Sequence, residues 1–199
     1  MSRLPYRMVV CILRIIFFLF FRVRTSGKEN IPPEGPAILC SNHISWWDPP
    51  FLTVVTPRPI HFMAKRELFD IPIFGPFLAS LLAFPVKRGG GDRRAVRQAL
   101  GILEGDEVVG MFPEGTRRRG NQVARFLRGA AYLAQVSGAP LIPMGISGRY
   151  GFTSRLRMAI GEPIVPRPVE GDRAERNREI DRLTEELARR IGDLSNGET

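Results

Sequence analysis

The sequence predicts an α/β fold in which a mixed, largely parallel sheet is flanked by helices. Short apolar runs of the kind that form buried strands alternate with segments of helical length and periodicity. Glycine, proline and small polar residues separate the two kinds of segment. Because strands that alternate with helices usually pair in parallel, the alternation favours a largely parallel sheet. With 199 residues, of which 44% are hydrophobic, the chain is long enough for one domain with a core and too apolar for a disordered chain.

The first segment, residues 8–21, is an apolar run in which Arg14 is the only charged residue. As a helix it would span about 21 Å, which is less than a hydrocarbon core of about 30 Å. Arginines flank the run on both sides, and no small-residue cleavage site follows it. We interpret residues 1–26 as a helix that anchors the protein at a membrane interface, with a buried core helix as the alternative. Residues 27–199 then form the folded domain.

The alternation of strands and helices occupies the middle of the chain. The predicted strands cover residues 37–40, 60–64, 83–86, 108–112 and 141–144, and the predicted helices between them cover residues 49–55, 74–82, 92–103 and 126–136. Asp92 is expected to cap the third of these helices. From residue 172 onward, Ile180, Leu183, Leu187 and Ile191 recur at helical spacing and predict an amphipathic C-terminal helix. Carboxyl ends of parallel strands share one edge of a sheet, so the polar segments that follow these strands are expected to meet there.

The first polar segment follows the strand at 37–40 and contains His43 and Asp48. In a straight helix these side chains would point apart. They can form a hydrogen bond if His43 lies in a turn and Asp48 lies in the first turn of the next helix. A carboxylate on one imidazole nitrogen leaves the other nitrogen as a base. For an isolated pattern of this length, a capping Asp beside an unrelated His is the more common interpretation.

The second polar segment covers residues 112–120 and contains Glu114, Gly115 and Thr116 followed by three arginines. A glycine in a turn exposes backbone N–H groups, and Arg117 can bind a phosphate group through two nitrogens. The segment therefore predicts a phosphate site. A solvated basic loop, or a site for nucleic-acid phosphates, would contain the same residue types.

Two basic pairs, Lys65–Arg66 and Lys87–Arg88, are predicted at the ends of two further strands. Each pair alone would be an ordinary surface feature. Together with His43 and Asp48, the two pairs would suit a site that holds an anionic substrate while an imidazole base removes a proton from it. The net charge of +9 agrees with an anionic partner but does not identify it. With two cysteines, two histidines and no Cys/His cluster, the sequence predicts neither a disulfide framework nor a metal site.

Taken in order, these motifs resemble those of the glycerolipid acyltransferase family, and in particular its bacterial 1-acylglycerol-3-phosphate acyltransferases. The resemblance covers residues 25–165 approximately. It rests on the segments Asn42-His43-x4-Asp48, Lys65-x-Glu67-Leu68-Phe69, Val86-Lys87-Arg88, Phe112-Pro113-Glu114-Gly115-Thr116-Arg117 and Leu141-Ile142-Pro143.

The resemblance implies a glycerolipid acyltransferase fold on the cytoplasmic face of the cell membrane, in a peripheral or monotopic position. It implies transfer of an acyl chain from acyl-CoA or acyl carrier protein to lysophosphatidic acid, with no cofactor and no metal. His43 and Asp48 would be the catalytic residues. The substrate-binding residues would be Asn42, Lys65, Arg88, Glu114, Gly115, Thr116 and Arg117.

Three other activities would suit parts of the same pattern. A sister acyltransferase would use glycerol 3-phosphate or another lysolipid as the acceptor. A non-catalytic protein that binds anionic lipids would use the anchor and the cations without needing His43. A nucleic-acid-binding protein would show affinity that falls steeply with salt, and would consume no thioester. The ordered motifs favour the enzyme, so we expect a membrane surface and no nucleic acid among its partners.

Overall fold

The computed structural model describes residues 4–87, 92–115 and 126–197. The strands within these residues are Phe21–Ser26 (β1), Ala37–Ser41 (β2), Ile60–Lys65 (β3), Phe84–Val86 (β4), Val108–Met111 (β5), Leu141–Gly148 (β6) and Ser154–Ile160 (β7). The α-helices are Leu4–Phe20 (α1), Asp48–Val55 (α2), Phe74–Ser80 (α3), Arg93–Glu104 (α4), Gly129–Ser137 (α5) and Arg173–Asn196 (α6). Each predicted strand and helix has its counterpart among them, while β1 and β7 were not predicted. The helix predicted over residues 1–26 ends at Phe20, because residues 21–26 pair with β7 as a strand of the sheet.

The strands form one mixed, mostly parallel sheet with the order β1-β7-β6-β2-β5-β3-β4. Strands β2 to β6 run in the same direction, β7 is antiparallel to β6, and β1 is parallel to β7. The predicted fold class is therefore confirmed. Because β2 and β5 lie at the centre, the segments that follow them meet at the middle of the carboxyl edge.

Local signals explain where the helices begin. Pro49 and Pro50 occupy the first turn of α2, where their missing N–H groups cost no intrahelical hydrogen bond. Asp92 caps α4 as predicted, because its Oδ1 accepts from the backbone N–H of Arg94 at 3.0 Å and of Ala95 at 3.3 Å. Its Oδ2 accepts from the backbone N–H of Lys87 at 2.9 Å. These hydrogen bonds, led by the one from Lys87, lower the pKa of Asp92.

The hydrophobic core lies on both faces of the sheet. On one face, α4, α5 and α6 pack against the sheet around residues such as Ile38, Val109 and Leu183. The close approach of α6 to β6 requires Gly145, where a Cβ atom would lie 2.4 Å from the backbone of Leu194. On the other face, α1 and α2 contribute Phe17 and Phe51 to a second core.

Helix α1 has one buried and one exposed face, and both are apolar. Tyr6, Val10, Leu13 and Phe17 are buried at intervals of three and four residues. The opposite face exposes Leu4, Met8, Ile12, Ile15, Phe18 and Leu19, each by more than half. The buried-helix alternative thus holds for one face only. No helix in the described part of the chain combines the length and the apolar character that crossing a bilayer requires.

Candidate active site

His43 and Asp48 meet at the carboxyl end of β2, in the geometry that the sequence predicts. Oδ2 of Asp48 accepts a hydrogen bond from Nδ1 of His43 at 2.7 Å. The same oxygen accepts from the backbone N–H groups of Ile44 at 2.7 Å and Ser45 at 2.8 Å. Asp48 opens α2 and its side chain is fully buried. A carboxylate can only accept, so the ring proton lies on Nδ1 and Nε2 remains available as a base.

Tyr150 supplies the fourth hydrogen bond to this carboxylate. Its Oη donates to Oδ1 of Asp48 at 2.7 Å. Burial, and to a smaller degree the negative charge of Asp48, raise the pKa of Tyr150 above its ordinary value, so the phenol stays protonated as a donor. Together these four hydrogen bonds, three to Oδ2 and one to Oδ1, fix the orientation of the Asp48 carboxylate.

Tyr150 was not among the predicted site residues. The predicted strand at 141–144 is too short to bring residue 150 to the carboxyl edge, whereas β6 continues to Gly148. The signal for a longer strand was the β-branched Ile146 between Gly145 and Ser147, which small residues on either side obscured.

Phe112 forms the wall of the site beside His43. The two rings are stacked, with centroids 4.2 Å apart and planes inclined by 21°. Phe112 directly follows β5, so the stack joins the ends of the two central strands. The side chain of His43 is only 12% exposed as a result of this packing and of its bond to Asp48.

Asn42, which the resemblance implies as a substrate-binding residue, bonds through its side chain to β6. Its Nδ2 donates to the backbone carbonyl of Ile146 at 2.9 Å, and its Oδ1 accepts from the backbone N–H of Ile146 at 2.7 Å. The residue is 2% exposed. The amide therefore holds β2 against β6 beside the dyad.

The remaining predicted binding residues lie on the same edge where the structure describes them. Glu114 is 8% exposed and follows β5. Gly115 adopts a φ of +68°, which favours glycine, and its N–H donates to the carbonyl of Phe112 at 3.0 Å. Lys65 ends β3, and its Nζ lies 3.5 Å from Oε1 of Glu67. Arg88, Thr116 and Arg117 lie outside the described residues.

An aromatic cluster connects α1 to this site. The ring of Phe17 stacks on that of Phe51 with centroids 5.5 Å apart. Phe51 in turn meets the ring of Tyr150 edge-on at 6.2 Å, and Phe21 does so at 5.9 Å. The N-terminal helix is thus connected through Phe51 to the residue that holds Asp48.

The second histidine lies away from this edge. Nε2 of His61, in β3, is hydrogen-bonded to Oε2 of Glu107, which precedes β5. In the described part of the chain no three His, Cys, Asp or Glu side chains are grouped to hold a metal ion.

Comparison with known proteins agrees with this geometry. Residues 22–147 match the family described as Acyltransferase. The chain belongs to this acyltransferase family. The matched residues include His43 and Asp48. The protein is therefore an enzyme, an acyltransferase.

Individual relatives of this acyltransferase cover most of its length. A 1-acyl-sn-glycerol-3-phosphate acyltransferase of Bacillus subtilis (strain 168) is 32% identical over 197 residues, which are 96% of this chain and 97% of the relative. A lyso-ornithine lipid O-acyltransferase of Brucella abortus (strain 2308) is 39% identical over 129 residues, or 61% of this chain and 46% of the relative. The crystal structure of the 1-acyl-sn-glycerophosphate acyltransferase PlsC from Thermotoga maritima superimposes with a TM-score of 0.68 at 25% identity, covering 94% of this chain and 81% of that one.

Proposed function

We propose that this acyltransferase transfers a fatty acyl chain from a thioester to the sn-2 hydroxyl of lysophosphatidic acid, and so forms phosphatidic acid for phospholipid biosynthesis. The observation that carries the proposal is the dyad, in which Asp48 holds the Nδ1 proton of His43 and leaves Nε2 as a base. The similarity over almost the full length of the Bacillus subtilis enzyme supports the choice of acceptor.

The reaction follows from the chemistry of the two substrates. A hydroxyl is a weak nucleophile at neutral pH, so Nε2 of His43 takes its proton while the oxygen attacks the thioester carbonyl. The tetrahedral intermediate then collapses with cleavage of the C–S bond. The leaving thiolate takes the proton back from the imidazolium of His43. The products are an ester and a free thiol, and His43 returns to its neutral form.

Asp48 serves this cycle through charge as well as orientation. The imidazolium that forms during attack lies beside a buried carboxylate, which stabilises it electrostatically. Because a thioester is already activated, the reaction needs no enzyme nucleophile, no metal and no cofactor. A chelator such as EDTA is therefore expected to leave the rate unchanged.

We assign recognition of the acceptor phosphate to the cations of the carboxyl edge. Lys65 is 43% exposed at the end of β3 and is available to an anion. We assign the same role to Arg88 and Arg117 on the basis of their motifs. Glu114, Gly115 and Thr116 are proposed, also from their motif, to shape the acceptor pocket. Either acyl-CoA or acyl carrier protein serves as the donor in this proposal.

The exposed face of α1 supports action at a membrane surface. Its side chains are large and apolar, and Arg7 and Arg14 are exposed on the same helix. Such a helix lies in the interface, with apolar groups among acyl chains and arginines near lipid phosphates. We place the enzyme on the cytoplasmic face of the cell membrane, as a peripheral or monotopic protein, where a lysolipid reaches the dyad without leaving the bilayer.

A second candidate acceptor is a lysolipid without a phosphate. The relative from Brucella abortus is named a lyso-ornithine lipid O-acyltransferase, and its matched segment is the more similar of the two relatives described. An ornithine headgroup is a zwitterion without net negative charge, so cations at the site would hold it less strongly than they hold a phosphate. Glycerol 3-phosphate has the phosphate but lacks the acyl chain.

Acyl transfer by the purified protein decides among these acceptors. Thiol release is measured with acyl-CoA and with acyl carrier protein, against lysophosphatidic acid, lyso-ornithine lipid and glycerol 3-phosphate in mixed micelles. The proposal predicts the highest kcat/KM with lysophosphatidic acid. A higher value with lyso-ornithine lipid or glycerol 3-phosphate would contradict it. A protein that binds anionic vesicles but releases no thiol would be a lipid-binding protein instead.

A further inference from the structure

Four arginines form a compact array on the sheet, which we call the arginine face. Arg22 and Arg24 of β1 pair in register with Arg155 and Arg157 of β7, and all four side chains are exposed. Paired strands lie about 4.8 Å apart, and alternate residues of one strand lie about 6.6 Å apart. The four side chains therefore project from the corners of a small rectangle on one face of the sheet.

Ordinary structural roles explain only half of the arginine face. In residues 4–87, 92–115 and 126–197, none of the four guanidinium groups has a carboxylate within 4.0 Å. Like charges on neighbouring strand positions repel one another. Charge on an edge strand prevents pairing with other chains, which accounts for Arg22 and Arg24. Strand β7 lies between β1 and β6, so Arg155 and Arg157 have no such reason. A bound anion would explain all four.

The arginine face looks away from the apolar surface of α1. Leu156 and Met158 of β7 point into the core that contains Phe17 of α1. Arg155 and Arg157 alternate with them and so point to the opposite face, on which α6 packs. A Cβ atom at Gly197, the residue that ends α6, would lie 3.4 Å from Nη1 of Arg157. A bilayer that contacts the exposed face of α1 would thus lie on the other side of the sheet. The anion that meets the arginines comes from the aqueous phase.

The arginine face begins at the edge of the sheet that carries the dyad. Strands β1 and β7 run opposite to β2, so they start where β2 ends. Arg22 and Arg155 are the second residues of their strands. In the order of the sheet, β1 is three positions from β2, a distance of about 14 Å at the usual strand spacing. A donor held on this face would need only a flexible arm to bring its thioester to His43.

We propose that the arginine face docks an acidic protein, namely the carrier-protein form of the acyl donor. Small anions bind in concave sites, whereas exposed side chains on a sheet face suit the surface of another protein. The carrier contributes carboxylates to the four arginines, and its thioester-bearing arm extends over the ends of β7 and β6 to the dyad. This inference rests on the proposed function, and it makes the carrier protein a true donor of this enzyme.

The test compares two donors in one charge-reversed variant. Arg155→Glu/Arg157→Glu is expected to lower kcat/KM for acyl carrier protein by about tenfold or more, and that for acyl-CoA by less than about twofold. The wild-type reaction with the carrier protein falls with ionic strength, and the variant loses most of this dependence. Arg155→Lys/Arg157→Lys retains the charge and most of the rate. Arg173→Glu/Arg176→Glu makes the same charge change at the exposed first turn of α6, and it leaves both donors unaffected.

Each other result overturns the proposal. Equal losses with both donors, in a variant that keeps the wild-type circular dichroism and melting temperature, would mean that the arginines act on the site in general and not on the carrier protein. Weakened sedimentation with phosphatidylglycerol vesicles, with the carrier reaction unchanged, would assign the arginines to lipid phosphates. Transfer from acyl-CoA without any from the carrier protein would refute the docking surface and leave the proposed function standing. If neither donor reacts, binding of the carrier protein to immobilised wild type and variant still decides: equal or absent binding refutes the docking surface.

Discussion

Replacing Asp48 with Asn separates the two contributions that we assign to this residue, orientation and charge. Asn has the same shape, and its amide oxygen can occupy the position of Oδ2. The backbone N–H groups of Ile44 and Ser45, at 2.7 and 2.8 Å, require an acceptor there. The amide NH₂ group then faces Tyr150, whose hydroxyl can accept as well as donate. The Nδ1–H group of His43 therefore still donates to an oxygen of residue 48, and only the negative charge is lost.

The size of the effect follows from the burial of the pair. Asp48 is fully buried and bonded directly to His43. Two unit charges about 4 Å apart interact by about 4 kcal/mol at an effective dielectric constant of about 20. The imidazolium in the transition state loses up to that stabilisation, which corresponds to a fall in kcat of about 10²–10³. Asp48→Ala also releases the ring of His43 and is expected to lower kcat by a further factor of about ten.

Thiol release at saturating donor and acceptor measures kcat for both variants, and thermal unfolding shows whether they fold. A destabilisation of about 1–3 kcal/mol is expected for Asp48→Ala, because it leaves buried N–H donors without an acceptor. If Asp48→Asn keeps kcat within about threefold of the wild type, the negative charge does not act on the imidazolium. If the Asn variant is as slow as the Ala variant, the amide does not preserve the orientation of His43.

Three further predictions concern the surroundings of the site. Tyr150→Phe removes one hydrogen bond to the charged Asp48, so kcat should fall by about tenfold at unchanged KM. Tyr132→Phe, at an exposed tyrosine, is the control and should have no effect. A change in KM alone would contradict the positioning role of Tyr150. Phe18→Ser, at a side chain that is 85% exposed, should lower sedimentation with anionic vesicles without lowering the melting temperature. Unchanged sedimentation would exclude α1 from the membrane contact. The pKa of Glu179 is lowered mainly by hydrogen bonds from a neighbouring arginine, so this carboxylate stabilises the fold at neutral pH and loses that effect as the pH falls through its folded pKa. Glu179→Gln should therefore cost about 1 kcal/mol in urea unfolding at pH 7 and progressively less as the pH falls through the folded pKa of Glu179, whereas a cost that does not change with pH would contradict the assignment.

The five parallel strands could be predicted because each reads as a short, mostly apolar run, and β2, β5 and most of β6 are buried on both faces. β1 and β7 could not, because their exposed face carries arginine at alternate positions. Arg22 and Arg24 read as the polar flank of the apolar helix before them, although they belong to a strand of the sheet. β6 was predicted too short because Gly145 weakens an isolated strand. In the folded chain the same glycine admits α6, and the contact stabilises the strand.

The dyad could be predicted because its members are local in the sequence. His43 and Asp48 are separated by one turn, and a strand before them and a helix after them fix their relation. Tyr150 and Phe112 reach the same site from β6 and β5, and their arrival depends on the order of strands in the sheet. The bonds of Asn42 to β6 could not be predicted for a related reason, because its partner Ile146 lies 104 positions away and no local pattern indicates the contact.

Loss of the imidazole base is the most direct test of the account. His43→Ala and His61→Ala are compared with the wild type for thiol release from acyl-CoA in the presence of lysophosphatidic acid, after each protein has been shown to fold. We predict that His43→Ala lowers kcat by about 10³ or more, whereas His61→Ala retains activity. A folded His43→Ala enzyme that keeps a tenth of the wild-type rate would contradict it.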